Sequence, residues 1–237
     1  MQRYFAKQNN NKVILDDGDV HHLLHVMRSK KGDEIETVID GKLYSAIVES
    51  INPLNIVINY EIPLDSEIKE KITLFFALAK GDKIDFVVQK ATELGVSRIV
   101  LVKTERCVTK FEEKDISRKL ERFNKIAKEA SEQSHRLRIP VIEGVVDINN
   151  IPDAMLADIN LLAYEKEAGS TGNFFDNVKK DKSISVMIGP EGGFSIKEVE
   201  MLEKKYNFLP ISLGKRILRT ETAAVYALSV LGFILEK

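Results

Sequence analysis

The 237-residue chain has one cysteine, Cys107, and no tryptophan. A lone thiol excludes an intrachain disulfide framework and fits a reducing, cytoplasmic setting. Six prolines and thirteen glycines are too few for a collagen-like or low-complexity chain. Long hydrophobic runs are also missing. The longest uncharged apolar stretch, Thr222 to Leu235, falls short of the ~20 residues that span a bilayer and reads as a buried helix. Met1 to Phe5 has no apolar h-region, so no signal peptide is visible. An excess of charge of either sign is absent too: 35 Lys and Arg against 36 Asp and Glu leave −1. That balance does not exclude a nucleic-acid partner, because binding needs only a local basic surface. What is present, 44% hydrophobic and 30% charged residues, is an ordinary globular composition. It is enough chain for one large or two smaller domains.

The pattern along the chain changes near residue 70. Residues 1–62 read as short strands. Asp40-Gly41 sits between two apolar runs, Val38-Ile39 and Leu43-Tyr44, and suits a type I′ hairpin because both turn residues need positive φ. A short helix fits Asp19 to Arg28, with Asp19 as its N-cap. The polar segment 63–71, opening on Pro63, reads as a linker. Beyond it, Ile72 to Ala79 is continuously apolar, as in a strand covered on both faces. Ile84, Val87, Val88, Ala91 and Leu94 have helical spacing, with Gly95 placed as a left-handed cap. Further strands are predicted at 98–103, 159–163, 184–188 and 211–213, and helices near 115–136, 196–206 and 221–235. Alternating strands and helices indicate an α/β layer fold with a mainly parallel sheet.

In such sheets, ligands bind at the loops leaving the C-terminal strand ends. Three of these loops carry unusual chemistry. Gly189-Pro190-Glu191-Gly192-Gly193-Phe194-Ser195 is glycine-rich, and Ser195 with Glu198 has capping-box spacing. It lacks the Gly-Lys-Ser/Thr of a Walker loop and the dinucleotide pattern, and a plain strand-to-helix turn also accounts for it. Leu213 to Thr222 places Lys215, Arg216 and Arg219 just before a helix N-terminus, where the dipole favours acids. The alternatives there are an anion-facing role or a solvated loop, with Thr220 as N-cap. Leu162 to Glu165 is the third loop, uninformative alone.

Between Lys103 and Arg138, eleven Lys and Arg face seven acids. Most of these suit a solvated helix with paired charges, whereas Arg136 and Arg138 lack nearby acids and read as phosphate contacts. His21 and His25 have i,i+4 spacing, yet no acid lies between them and Cys107 has no second thiol nearby. A surface or RNA-facing role is therefore the reading adopted, without a metal. His135 near Ser131 and Ser134 has no Gly-x-Ser-x-Gly elbow to support a nucleophile.

The two late loops, Met187 to Ser195 and Leu213 to Ala223, in that order, resemble those of the bacterial 16S ribosomal RNA (uracil-N3)-methyltransferases. Supporting segments are His21 to Arg28, Gln89 to Val96 and Glu132 to Arg136. The resemblance implies a SPOUT-type α/β domain over residues 71–237, with a C-terminal trefoil knot. A small PUA-like RNA-binding β-barrel over residues 1–70 would precede it. It also implies a cytoplasmic homodimer that uses S-adenosylmethionine on 16S rRNA of the small ribosomal subunit, with no membrane and no metal. Carried over by position, the cofactor residues are Leu162, Ala163, Tyr164 and Glu165; Ile188, Gly189, Pro190, Glu191, Gly192 and Gly193; and Leu213, Gly214, Ile217, Leu218 and Thr220. The glycines would let backbone approach the cofactor.

The implied chemistry needs a splayed uracil whose N3 loses its proton, with charge spreading onto O2 and O4. Arg219 or Arg216 would stabilise that charge, and Glu191 and Glu221 are the proton-acceptor candidates. RNA contacts are assigned to Arg3, His22, Arg28, Lys30, Lys31, Arg106, Arg136 and Arg138. Residues 1–70 hold eight Lys and Arg against twelve acids, so basic contacts there must be confined to one face. Two alternatives stand beside this reading. A different α/β nucleotide-binding enzyme would prefer ATP to S-adenosylhomocysteine. A non-catalytic RNA-binding or ribosome-assembly protein would transfer no methyl group.

Overall fold

The computed structural model describes residues 1–109, 111–164 and 177–237, which form two compact units. The first gathers residues 1–67 and Ser131–Arg138; the second holds Ile68–Ala130 and Ile139–Lys237. This differs from a single cut after residue 70, because the segment around Arg136 belongs to the first unit.

The first unit contains β1 (Arg3–Phe5), β2 (Lys7–Asn9), β3 (Lys12–Ile14), α1 (Asp17–His21), a π-helical turn at His22–Val26, β4 (Glu34–Ile39), β5 (Lys42–Ile51) and β6 (Leu54–Ile62). One six-stranded sheet runs β1-β4-β5-β6-β3-β2. β1 is parallel to β4 and the remaining pairs are antiparallel. Asp40 and Gly41 take φ of 50° and 78°, and Ile39 pairs with Lys42, so the Asp-Gly hairpin is as expected. The cap of α1 is not: Asp16 accepts from the Asp19 backbone N–H, and Asp19 lies within the first turn. The core packs Tyr4, Leu23, Ile35, Ala46, Val48 and Ile56.

Segment 131–138 is tied into this unit by charge and packing. Arg136 is 4% exposed and its Nη2 lies 2.7 Å from Glu67 Oε2. Glu67 Oε1 accepts from the backbone of Leu137 and Arg138, and Leu137 packs on Val38 and Leu43. Arg3, 2% exposed, donates to Glu36 at 2.9 and 2.7 Å and to the His135 carbonyl.

The second unit comprises β7 (Ile72–Ala77), α2 (Lys83–Glu93), β8 (Arg98–Lys103), α3 (Glu113–Gln133), β9 (Val141–Asp147), β10 (Ile159–Ala163), β11 (Ile184–Ile188), α4 (Ile196–Tyr206), β12 (Phe208–Ile211) and α5 (Thr220–Leu235). Its strands form one sheet in the order β12-β10-β11-β7-β8-β9, every pair parallel. All six residues of β7 are buried. Phe76 packs with Val87, Phe123 and Leu228, while the adjacent Phe75 packs with Leu202 and Tyr206. The alternation of side chains along a strand thus supplies two apolar layers. Gly95 at φ 86° follows α2, as the sequence predicts. β9 is additional to the predicted strands. The last strand spans Phe208–Ile211, ahead of the predicted 211–213.

Candidate functional site

Because every pair in the second sheet is parallel, its strand C-termini share one edge. β12, β10 and β11 are neighbours in that order, so the loops leaving them meet. They line a cavity of about 610 Å³, within the range of small-molecule sites. Ala163, Tyr164, Ile188 to Phe194, Ser212 to Thr220, Ala223 and Lys83 line it.

Most residues assigned to the cofactor therefore come together. Leu162 does not: it is fully buried, in the cluster with Phe75 and Met187. Its side chain alternates away from the strand exit into the core. Glu165 lies outside the described residues. Thr220 lines the cavity but is the first residue of α5, whose N-cap is Arg219 with no side-chain cap bond. The expected Thr220 cap is thereby corrected.

The glycine-rich loop has an internal explanation. A Cβ on Gly189 would stand 2.8 Å from Cε2 of Phe194, and Phe194 is 3% exposed. Gly189 is needed for the ring behind it as much as for any ligand in front. Ser195 and Glu198 form the predicted capping box of α4, and Ser195 Oγ also donates to Glu105 at 2.8 Å. Arg106 donates to the Gly192 carbonyl at 3.0 Å. Its guanidinium braces this loop while the residue stays exposed. On the facing loop, Gly214 takes φ 111° with open space around it, a backbone conformation that L side chains rarely adopt.

The charges divide sharply. Lys215, Arg216 and Arg219 are exposed on the cavity wall, and no ion pair to them is found among the described residues. Glu191 meets Lys83 Nζ at 2.9 Å, and Glu221 Oε2 lies 3.6 Å from the same nitrogen. Burial pushes the Glu191 carboxyl up. The Lys83 hydrogen bond, helped by backbone N–H groups of Glu191 and Lys80, outweighs it and holds the group below the ordinary carboxylate range. The bond to Glu191 correspondingly raises Lys83 above its ordinary value, against desolvation. Sequence reasoning missed Lys83. The available signal was a cation at the first position of α2, where the helix dipole disfavours it.

The cations assigned to RNA separate as well. Arg28, Lys30, Lys31 and Arg138 are exposed. His22 is half-buried, its Nδ1 3.0 Å from the Tyr4 hydroxyl. Arg3 and Arg136 are corrected: both guanidiniums are buried on acids within the first unit and present no surface to phosphate. Among the described residues there is no three-residue metal cluster, and no helix is long and apolar enough to cross a membrane.

The family described as RNA methyltransferase domain matches residues 66–232, and that described as RNA methyltransferase PUA domain matches residues 15–59. The ribosomal RNA small subunit methyltransferase E of Bacillus subtilis is 32% identical, over 98% of this chain and 96% of its own. A Legionella pneumophila methyltransferase solved with bound S-adenosylmethionine is similar at TM-score 0.88 and 30% identity, covering 98% and 96% of the two chains. The ribosomal RNA small subunit methyltransferase E of Neisseria gonorrhoeae, also bound to S-adenosylmethionine, gives 0.85 and 29%, covering 99% and 98%. On the matched domain and this near-full-length identity, the chain belongs to the ribosomal RNA small subunit methyltransferase E family.

Proposed function

We propose that the chain transfers a methyl group from S-adenosylmethionine to N3 of a uridine in 16S ribosomal RNA of the small subunit, acting in the cytoplasm as a homodimer. The observation that carries this reading is the cavity itself. Three loops from adjacent parallel strands enclose it, and two arginines with no ion pair among the described residues stand on its wall. Its volume and its mixed lining of backbone, Ile188, Leu213 and Leu218 fit a nucleoside-sized group with an apolar arm.

S-adenosylmethionine supplies an electrophilic methyl group on sulfur. The protein's work is to align uracil N3 with it, so proximity is a large contribution. Arg219 and Arg216 stabilise the charge that spreads onto O2 and O4 when N3 loses its proton. The N-terminal dipole of α5 adds to this. Glu191 and Glu221 are both engaged by Lys83, so we assign them to bracing the walls. The N3 proton then passes to water at the cavity mouth.

The chain leaves β11, returns past β10 and forms β12 on its far side, which supports a trefoil knot in the second unit. The single, mostly antiparallel six-stranded sheet of the first, with the PUA match over residues 15–59, supports a PUA-like barrel. A homodimer is supported by α5, an almost entirely apolar helix that leaves Tyr226 44% and Phe233 60% exposed.

The test is incubation with undermethylated small subunits and labelled S-adenosylmethionine, followed by nucleoside mass spectrometry. N3-methyluridine is expected. Cofactor binding with no N3-methyluridine formed overturns the uracil assignment.

A further inference from the structure

We propose that Lys83 is a positioning residue that pins the Gly189–Phe194 loop to the first turn of α5, fixing the cofactor side of the cavity against the Arg219 side. The inference rests on the methyl-transfer reading and adds to it a residue outside the loops that carry that reading.

Three separated parts of the chain meet at one nitrogen. Lys83 Nζ is 2.9 Å from Glu191 Oε1, in the middle of the glycine-rich loop, and 3.6 Å from Glu221 Oε2, in the first turn of α5. Glu221 follows Arg219 by two residues, so a displacement of that turn displaces the arginine. Local stability does not explain a lysine here. It is the first residue of α2, at the positive end of the dipole, and the Asp82 cap makes no side-chain bond to offset it. A local rule broken at a cavity wall is where function is expected.

The acids depend on this cation. Glu221 Oε2 is buried and has no hydrogen-bond partner among the described residues; the ammonium 3.6 Å away is its compensating charge. Isolated surface pairs contribute little, but networks with shared charges are the exception. All three side chains here are partly buried, at 31%, 34% and 19% exposure. Without Lys83, two carboxylates would face each other across the gap that it now fills, and the loop and the helix would separate.

The test compares the full-length wild type with K83M and K83R. The first readout, hydrogen–deuterium exchange of the Gly189–Phe194 amides, needs no cofactor. K83M should exchange about tenfold faster there, and K83R should restore protection. The second is S-adenosylhomocysteine binding by calorimetry from weakly acidic to weakly alkaline pH. K83M should bind about tenfold more weakly at neutral pH and transfer methyl about tenfold more slowly in single turnover. The binding deficit should shrink as pH falls. Glu191 then has no cation to hold it ionised, burial and Glu221 push its carboxyl up, and a proton replaces the missing charge. The groups facing Glu191 are the Lys80 backbone N–H and Lys83 from the α2 side, and Glu221 from α5. Lys215, Arg216 and Arg219 line the same cavity.

Unchanged exchange in K83M overturns the pin whether or not the cofactor binds. So does a binding deficit equal at every pH, or a K83R no better than K83M. Failure of the wild type to bind S-adenosylhomocysteine, with the exchange difference intact, counts instead against the methyl-transfer reading. If K83M does not fold, K83R against E191Q on the same two readouts decides: E191Q must lose protection and K83R must keep it.

Discussion

Arg219 stands where helix chemistry would place a capping oxygen. It is the N-cap of α5, extended at φ −66° and ψ 152°, and its side chain makes no cap bond. Alanine there removes no bond that holds the helix, so Arg219→Ala should fold and melt like the wild type. Methyl transfer should fall by about a hundredfold or more, the cost of removing a donor aimed at developing charge. S-adenosylhomocysteine affinity should change only a few-fold, because the loss falls on the transition state. Single-turnover kinetics with calorimetry check this, and full activity removes the assigned role. At this scale the sequence was legible where chemistry and position coincided, as with the cations before α5. It was misleading where a side chain's use depends on a distant partner. Arg3 is committed to Glu36 and Arg136 to Glu67, 33 and 69 residues away, and no local pattern shows that. Lys83 did carry a local signal, a cation at the start of α2, but the acids that give it a use, Glu191 and Glu221, lie far along the chain.

Elements were legible in proportion to how fully both faces are covered. β7, β8, β10 and β11 lie inside the second sheet, and each carries at least three consecutive apolar residues. The two edge strands were missed or displaced. Among the described residues β9 pairs only with β8, and it interrupts its apolar residues with Glu143 and Gly144. Among the described residues β12 pairs only with β10, and it contains Pro210, a residue that strands accept at edges. The start of α4 was legible because its capping box is a sequence signature. Ser195 Oγ accepts from the Glu198 N–H at 3.3 Å and donates to Glu105 at 2.8 Å, and so joins the loop after β11 to the loop after β8. Ser195→Ala should cost about 1 kcal/mol for the cap; Glu105 is exposed, so water replaces the bond it loses. The melting temperature should fall by about 2–4 °C, and Ser195→Thr should recover most of it. Thermal unfolding measures both, and a Ser195→Ala melt that overlays the wild type would mean the box is energetically idle.

Over the whole molecule, a net charge of −1 conceals an uneven division: −4 over residues 1–70 leaves +3 for the rest. The structure divides the first unit's cations again. Arg3 and Arg136 neutralise buried acids, whereas Arg28, Lys30, Lys31 and Arg138 remain at the surface. Of these six, only the second group can displace counterions from RNA, and each phosphate contact contributes about 0.7–0.9 to the slope of log affinity against log salt. Replacing Lys30 and Lys31 together by Gln should lower that slope by about 1–2 and leave the melting temperature unchanged. Arg3→Gln should do the reverse. It strands Glu36 and the His135 carbonyl, so it should cost about 3–5 kcal/mol of stability, while the slope of the folded fraction stays that of the wild type. Binding titrations of small-subunit RNA over a range of salt, paired with denaturant unfolding, separate the two behaviours. An Arg3→Gln protein that keeps its stability but loses about one unit of slope would show that this guanidinium reaches phosphate. A Lys30/Lys31 variant with an unaltered slope would move the RNA surface off this face of the first unit and leave Lys215, Arg216 and Arg219 to carry it.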